Sequence, residues 1–149
     1  MPTLLVVHHT PSPALQSVLD AVREGVAMAA DEVDGLRLEV RPALSAGPAD
    51  LLAADGVLLG TPANIGYMSG ALKHFFDTVY YPCLDATVGL PYGVYVHGND
   101  DTAGALTAIG RITGALRWRQ VAAPLSLTGG GGPDLEAVRE LAATVAVSL

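Results

Sequence analysis

The sequence predicts an α/β domain in three layers, a five-stranded parallel sheet with helices on both faces. Three observations carry this. Short apolar runs rich in branched residues alternate with stretches whose apolar residues recur every three or four positions. One run, Leu36-Arg37-Leu38-Glu39-Val40, alternates apolar with charged and so belongs at an edge with one wetter face. Polar, glycine-bearing or hydroxyl-bearing loops follow the other strands, where open α/β sheets place their ligands. Right-handed crossovers and the edge-like second strand favour the order 2-1-3-4-5.

The elements follow in order. Thr3-Leu4-Leu5-Val6-Val7 reads as a central strand buried on both faces. His8 to Pro13 forms a loop, and Ala14 to Ala30 a helix, with Leu15, Val18, Leu19, Val22, Val26 and Ala29 on one side. Ser12 is placed as N-cap and Pro13 as the first helical residue. Pro42 to Pro48 is a loop and Ala49 to Ala54 a short helical turn. Val57-Leu58-Leu59 is the third strand, and Ala71 to Tyr80 a helix that Pro82 breaks. Pro91 to Val96 is the fourth strand, and Ala105 to Leu116 is helical. Gln120 to Leu127 holds the last strand, interrupted at Pro124. Thr128 to Pro133 forms a glycine-rich connection, a mobile link or lid, before a closing helix from Asp134 to Leu149.

Composition narrows the function classes. The 149 residues suit one domain, residues 1–149, with one compact interior. Fifteen acidic against eight basic residues, with no basic cluster, argue against nucleic acid. An anionic ligand must then be held by backbone N–H groups and hydroxyls. The one cysteine, Cys83, excludes an intrachain disulfide and suits a reducing cytoplasm. No stretch is long enough for a membrane span, and no basic leader precedes the first strand. His8 and His9 are neighbours on a strand and point to opposite faces, so no metal site is expected from them.

The stretch Gly60 to Gly70 is the most informative. It carries three glycines, Pro62, Asn64 and two hydroxyls between a strand and a helix, and it is longer than the usual connection of about 2–6 residues. Gly66 and Gly70 let the backbone approach a flat or anionic group. The first loop offers the Thr10 and Ser12 hydroxyls and the Ala14 and Leu15 amides at a helix N-terminus, a setting for a phosphate, although both hydroxyls also serve as caps. Beyond the fourth strand, His97-Gly98-Asn99 runs through Asp101 and Thr102, either of which can cap a helix, to Gly104.

Gly60-Thr61-Pro62, then Gly66-Tyr67-Met68-Ser69-Gly70, then Leu72-Lys73 with Phe75 and Asp77, resembles the flavin-contacting loop of flavodoxin-like NAD(P)H-dependent reductases. The branch is that of the WrbA-type quinone reductases and NADPH-dependent FMN reductases, and Tyr80-Tyr81-Pro82 extends the likeness. The resemblance is sharp between Gly60 and Asp77. It implies FMN as cofactor, NAD(P)H as donor and a quinone or similar small molecule as acceptor, with no catalytic side chain. It implies phosphate contacts from Thr10, Ser12, Pro13, Ala14 and Leu15. Ring contacts would come from Thr61, Pro62, Ala63, Asn64, Ile65, Gly66 and Tyr67, and from His97, Gly98, Asn99 and Gly104. Amides near Asn64-Ile65-Gly66 would stabilise charge on the reduced ring. It also implies a homo-oligomer, dimer or tetramer, in which a neighbour covers the flavin.

The chain departs from the family in its first loop, where Pro11 and Pro13 replace donors and Ala14-Leu15 stand for the usual Asn-Thr. A flavodoxin-like module without flavin is the reading those prolines support. A one-electron carrier is the other alternative. Such carriers sandwich the ring between aromatics of two loops, and neither the first loop nor His97 to Gly104 contains one. Asp100 and Asp101 would give the extra phosphate of NADPH no advantage.

Overall fold

A computed structural model describes residues 1–99 and 101–149. The first strand, β1 (Thr3–His8), runs through the middle, with β2 (Arg37–Pro42) on one side and β3 (Gly56–Asn64) on the other. Next to β3 lies β5 (Pro91–His97), and along its far edge lie β6 (Arg119–Gln120) and then β7 (Leu125–Leu127). All these pairings are parallel. They give the predicted order, with the last strand in two pieces. A two-residue strand, β4 (Tyr67–Met68), pairs antiparallel with the end of β3.

The helices are α1 (Pro13–Ala29), α2 (Pro48–Leu52), α3 (Gly70–Cys83), α4 (Ala103–Ala115) and α5 (Leu135–Ala146). Strand geometry sends alternate side chains to opposite faces. Leu4, Val6, Leu58 and Tyr95 pack with α1 and α5. Leu5, Val7, Val57, Leu59 and Val94 pack with Leu51 of α2, Phe75 and Phe76 of α3 and Ile109 of α4. Both faces of β1 and β3 are therefore sealed, which is why their sequences are continuously apolar. On β2, Leu38 and Val40 pack against the α1 layer while Arg41 pairs with Glu39 and Asp50 on the other side.

Gly25 sets the closeness of the α1–α5 crossing. A Cβ there would overlap the Arg139 carbonyl oxygen and lie 2.9 Å from the Ala142 Cβ. Gly60 plays a similar part inside the sheet, because the phenol of Tyr95 occupies the space its Cβ would need.

Two boundaries differ from expectation. The stretch after Leu59 stays extended to Asn64 and turns into a hairpin. Pro82 lies in the final turn of α3, which continues to Cys83 and closes with Leu84 N–H donating to Tyr81 O at 3.5 Å. A proline near a helix end costs one hydrogen bond from a turn that is already fraying, so the helix runs three residues past Tyr80. Helix α1 opens at Pro13 with Ser12 as its N-cap, as expected, since the fixed φ of proline suits the first helical position.

Candidate functional site

The loops after β1, β3 and β5 meet at the carboxyl edge of three adjacent strands. The first two are tied together, since His9 N–H donates to Gly60 O at 3.0 Å.

In the first loop, Ser12 is extended (φ −141°, ψ 158°), and its Oγ accepts from Leu15 N–H at 3.2 Å. The cap therefore uses the Leu15 amide, and the Leu15 side chain is buried in the α1 layer. Pro13 has no N–H. Among the described residues no hydrogen bond takes the Ala14 N–H, which remains as the open first-turn donor. Thr10 is half-buried, and its Oγ1 lies 2.7 Å from His8 Nδ1. Burial, with Arg23 and His9 adding like charge, lowers the His8 pKa below its ordinary value. Beside this loop opens a cavity of about 240 Å³, with His9, Thr10, Leu44 in the turn after β2 and Ala71 at the start of α3 on its walls. His9 Nδ1 is buried and has no partner among the described residues.

The second loop is the hairpin of β3 and β4. Its tip, Ile65-Gly66, has φ 49° and 73°, the left-handed pair of a type I′ turn. Asn64 and Ile65 are exposed and Tyr67 is partly exposed, at 40%. Thr61 and Pro62 are buried. The Thr61 hydroxyl works within the hairpin base, donating to Pro62 O at 2.8 Å and accepting from Ser69 N–H at 3.0 Å. Ser69 in turn caps α3, its Oγ accepting from Leu72 N–H at 3.2 Å. Gly66 is required by its positive φ, since the space a Cβ would enter is open among the described residues. The close approach lies at Gly104, where a Cβ would overlap the Gly66 carbonyl oxygen. The hairpin tip thus rests on the first turn of α4.

In the third loop, His97 is half-buried and Asn99 is exposed. Gly98 sits against the hairpin, where a Cβ would lie 3.2 Å from that of Ala63. This loop is also bound to the glycine-rich connection. Gly98 N–H donates to Leu127 O at 3.0 Å, Gly129 N–H donates to Asn99 O at 3.2 Å, and the Thr102 and Ser126 hydroxyls stand 2.5 Å apart. The stretch read as a mobile link or lid therefore braces the site at its Gly129 end. Asp101 rather than Thr102 supplies the side-chain cap, accepting from Ala103 N–H at 3.0 Å. Asp100 lies outside the described residues.

Ala63, Asn64, Ile65, Gly66 and Tyr67 thus come together with Gly98, Asn99 and Gly104, while Thr10, Ser12 and Ala14 form a separate hydroxyl and amide cluster at α1. Sequence reasoning passed over two features. One is the His8–Thr10 hydrogen bond, for which a histidine at a strand end was the available signal. The other is the Gly60–Tyr95 packing, for which the sequence held no signal.

No protein-family model matches the sequence. A flavodoxin of Aquifex aeolicus is 32% identical over 79 residues, 53% of this chain and 40% of that protein, so the match spans well under half of the relative's length. Among solved structures, an archaeal flavodoxin superposes with a TM-score of 0.80 at 14% identity, covering 98% of this chain and 97% of that one. A WrbA-like flavodoxin from Agrobacterium tumefaciens gives 0.71 at 20% identity, covering 99% and 96%. An oxidoreductase from Corynebacterium diphtheriae gives 0.68 at 19% identity, covering 100% and 98%. With the parallel order of the sheet and helices on both faces, these likenesses show that the chain has a flavodoxin-like fold.

Proposed function

We propose that residues 1–149 form one FMN-binding oxidoreductase domain of the cytoplasm, passing electrons from NAD(P)H to a quinone or similar small acceptor. The observation that carries this reading is the meeting of three loops at the β1–β3–β5 edge, one at a helix N-terminus and two in mutual contact. The donor set fits the cofactor. A phosphate monoester needs hydrogen-bond donors, and Thr10, Ser12 and the Ala14 amide supply them at the positive end of α1. A flat ring needs unencumbered backbone, and the exposed tip from Asn64 to Gly66 provides it.

Bound FMN would supply the hydride and electron chemistry. The chain's own work is to hold the phosphate, to offer the backbone of Asn64 to Gly66 to the ring and to fix that backbone on Gly104. Tyr67 is the aromatic side chain of the hairpin, and the first and third loops have none. One face of the ring then stays open to a small donor or acceptor, which favours a reductase. The matched flavodoxins favour a one-electron carrier as the second reading.

Spectral titration of the purified protein with FMN tests the cofactor. Tight binding of FMN and weaker binding of riboflavin are expected, while equal affinities would remove the phosphate site. Steady-state oxidation of NADH or NADPH with a small quinone then tests the reductase. Two widely separated one-electron steps in a reductive titration, with neither nicotinamide oxidised, would make the chain a carrier.

A further inference from the structure

The donors the first loop offers a phosphate are few: Thr10, Ser12 and the Ala14 amide. Pro11 and Pro13 lack N–H groups, the Leu15 amide is engaged by Ser12, and residues 9–16 include no lysine or arginine. The Thr10 hydroxyl therefore matters, and it has only one proton to give. His8 Nδ1, 2.7 Å from Thr10 Oγ1, decides where that proton goes. If Nδ1 is bare, Thr10 donates to it and offers a ligand only lone pairs. If Nδ1 carries a hydrogen, it donates to Thr10 Oγ1, and the hydroxyl proton is free to point outward.

We propose that His8 is the positioning residue of the phosphate loop: its Nδ1–H holds the Thr10 oxygen so that the Thr10 hydroxyl donates to the phosphate of FMN. This rests on the FMN reading above. It adds a consequence that a capping or packing role for His8 lacks. An imidazolium has hydrogens on both ring nitrogens, so Nδ1 is then always the donor. A phosphate dianion beside Thr10 favours that charged ring. At pH values between the free and bound pKa of His8, phosphate binding therefore draws protons from solvent onto the ring, and the loop gains positive charge as the anion arrives.

The surroundings agree with a ring that is neutral until then. Burial is the main cause, and Arg23 of α1 and the neighbouring His9 oppose a charge on His8. In register beside it, β2 places Pro42 and β3 places Gly60, both uncharged. Across Gly60 lies Tyr95 of β5, whose buried hydroxyl has no partner among the described residues and which stays protonated because burial raises its pKa. A new charge on His8 would thus meet no carboxylate among these neighbours, and the anion is what would stabilise it.

The test follows the His8 ring by NMR across pH in the unmodified protein, free, with riboflavin and with FMN. FMN should raise the His8 pKa by about one unit or more, a tenfold difference in affinity between the two ring states, and riboflavin should leave it where it was. Observing the ring rather than FMN affinity avoids confusion with the phosphate's own titration near pH ~6. His8→Asn, which can still donate to Thr10 but cannot charge, should bind FMN about tenfold more weakly at acidic pH, with riboflavin affinity unchanged. FMN binding with no rise in the His8 pKa would overturn the positioning role alone. Failure of FMN to bind at all would overturn both this role and the cofactor reading.

Discussion

Ile65 is the residue whose conformation its own chemistry least favours. It is β-branched, it holds a left-handed backbone at φ 49°, and its side chain is fully exposed. Such a backbone costs an ordinary L-residue about 1–2 kcal/mol, and asparagine tolerates it better. An exposed side chain returns little of that cost. Ile65→Asn should therefore stabilise the free protein by about 1 kcal/mol, seen as a higher urea midpoint with an unchanged slope. A lower midpoint would show that the isoleucine is held by contacts in the folded state. An isoleucine in place of the usual asparagine suits a side chain kept for a ligand's ring, and weaker FMN binding in the same variant would express that. The residue scale was also where the sequence was least legible. Ile65 carries no turn signal, so Gly60 to Gly70 reads as an open loop rather than a hairpin. Thr61 reads as a ligand contact, yet its hydroxyl joins the hairpin base to the α3 cap.

Helix α1 shows what was legible at the scale of an element. Ser12 followed by Pro13 marks its start because the cap and the fixed φ are both local properties. The same local logic ended α3 three residues early and left the choice between Asp101 and Thr102 open. That choice depends on Ser126, far away in the chain, which engages the Thr102 hydroxyl. Ser12→Ala should cost about 1 kcal/mol of stability through the lost cap. It should also weaken FMN more than riboflavin, because one of the hydroxyl donors goes with it. Equal weakening of both ligands would mean that Ser12 acts only on the helix.

At the scale of the molecule, strand order and layers were legible because continuous apolar runs mark buried strands and alternation marks an edge. What joins the layers was not legible. Gly25 carries no mark of its role in the sequence, yet it allows α1 and α5 to touch at Arg139 and Ala142. Gly25→Val should force those helices apart and destabilise the protein by about 1–3 kcal/mol or more, measured by chemical denaturation. Flavin affinity in the surviving folded fraction should change little, since Gly25 lies in the second half of α1, about three turns from its N-terminal loop. A neutral result would mean that the α1–α5 crossing adapts more readily than its backbone contact implies.

The Gly60–Tyr95 contact constrains how this sequence can drift. The phenol fills the place of a missing side chain on the neighbouring strand, so neither position can be optimised alone. Enlarging residue 60 first would collide with the ring, and shrinking residue 95 first would leave a void inside the α1 layer. Descendants of this chain should keep both residues or exchange both. Because the Gly60 carbonyl also accepts from the His9 amide, that joint history reaches the first loop through the backbone.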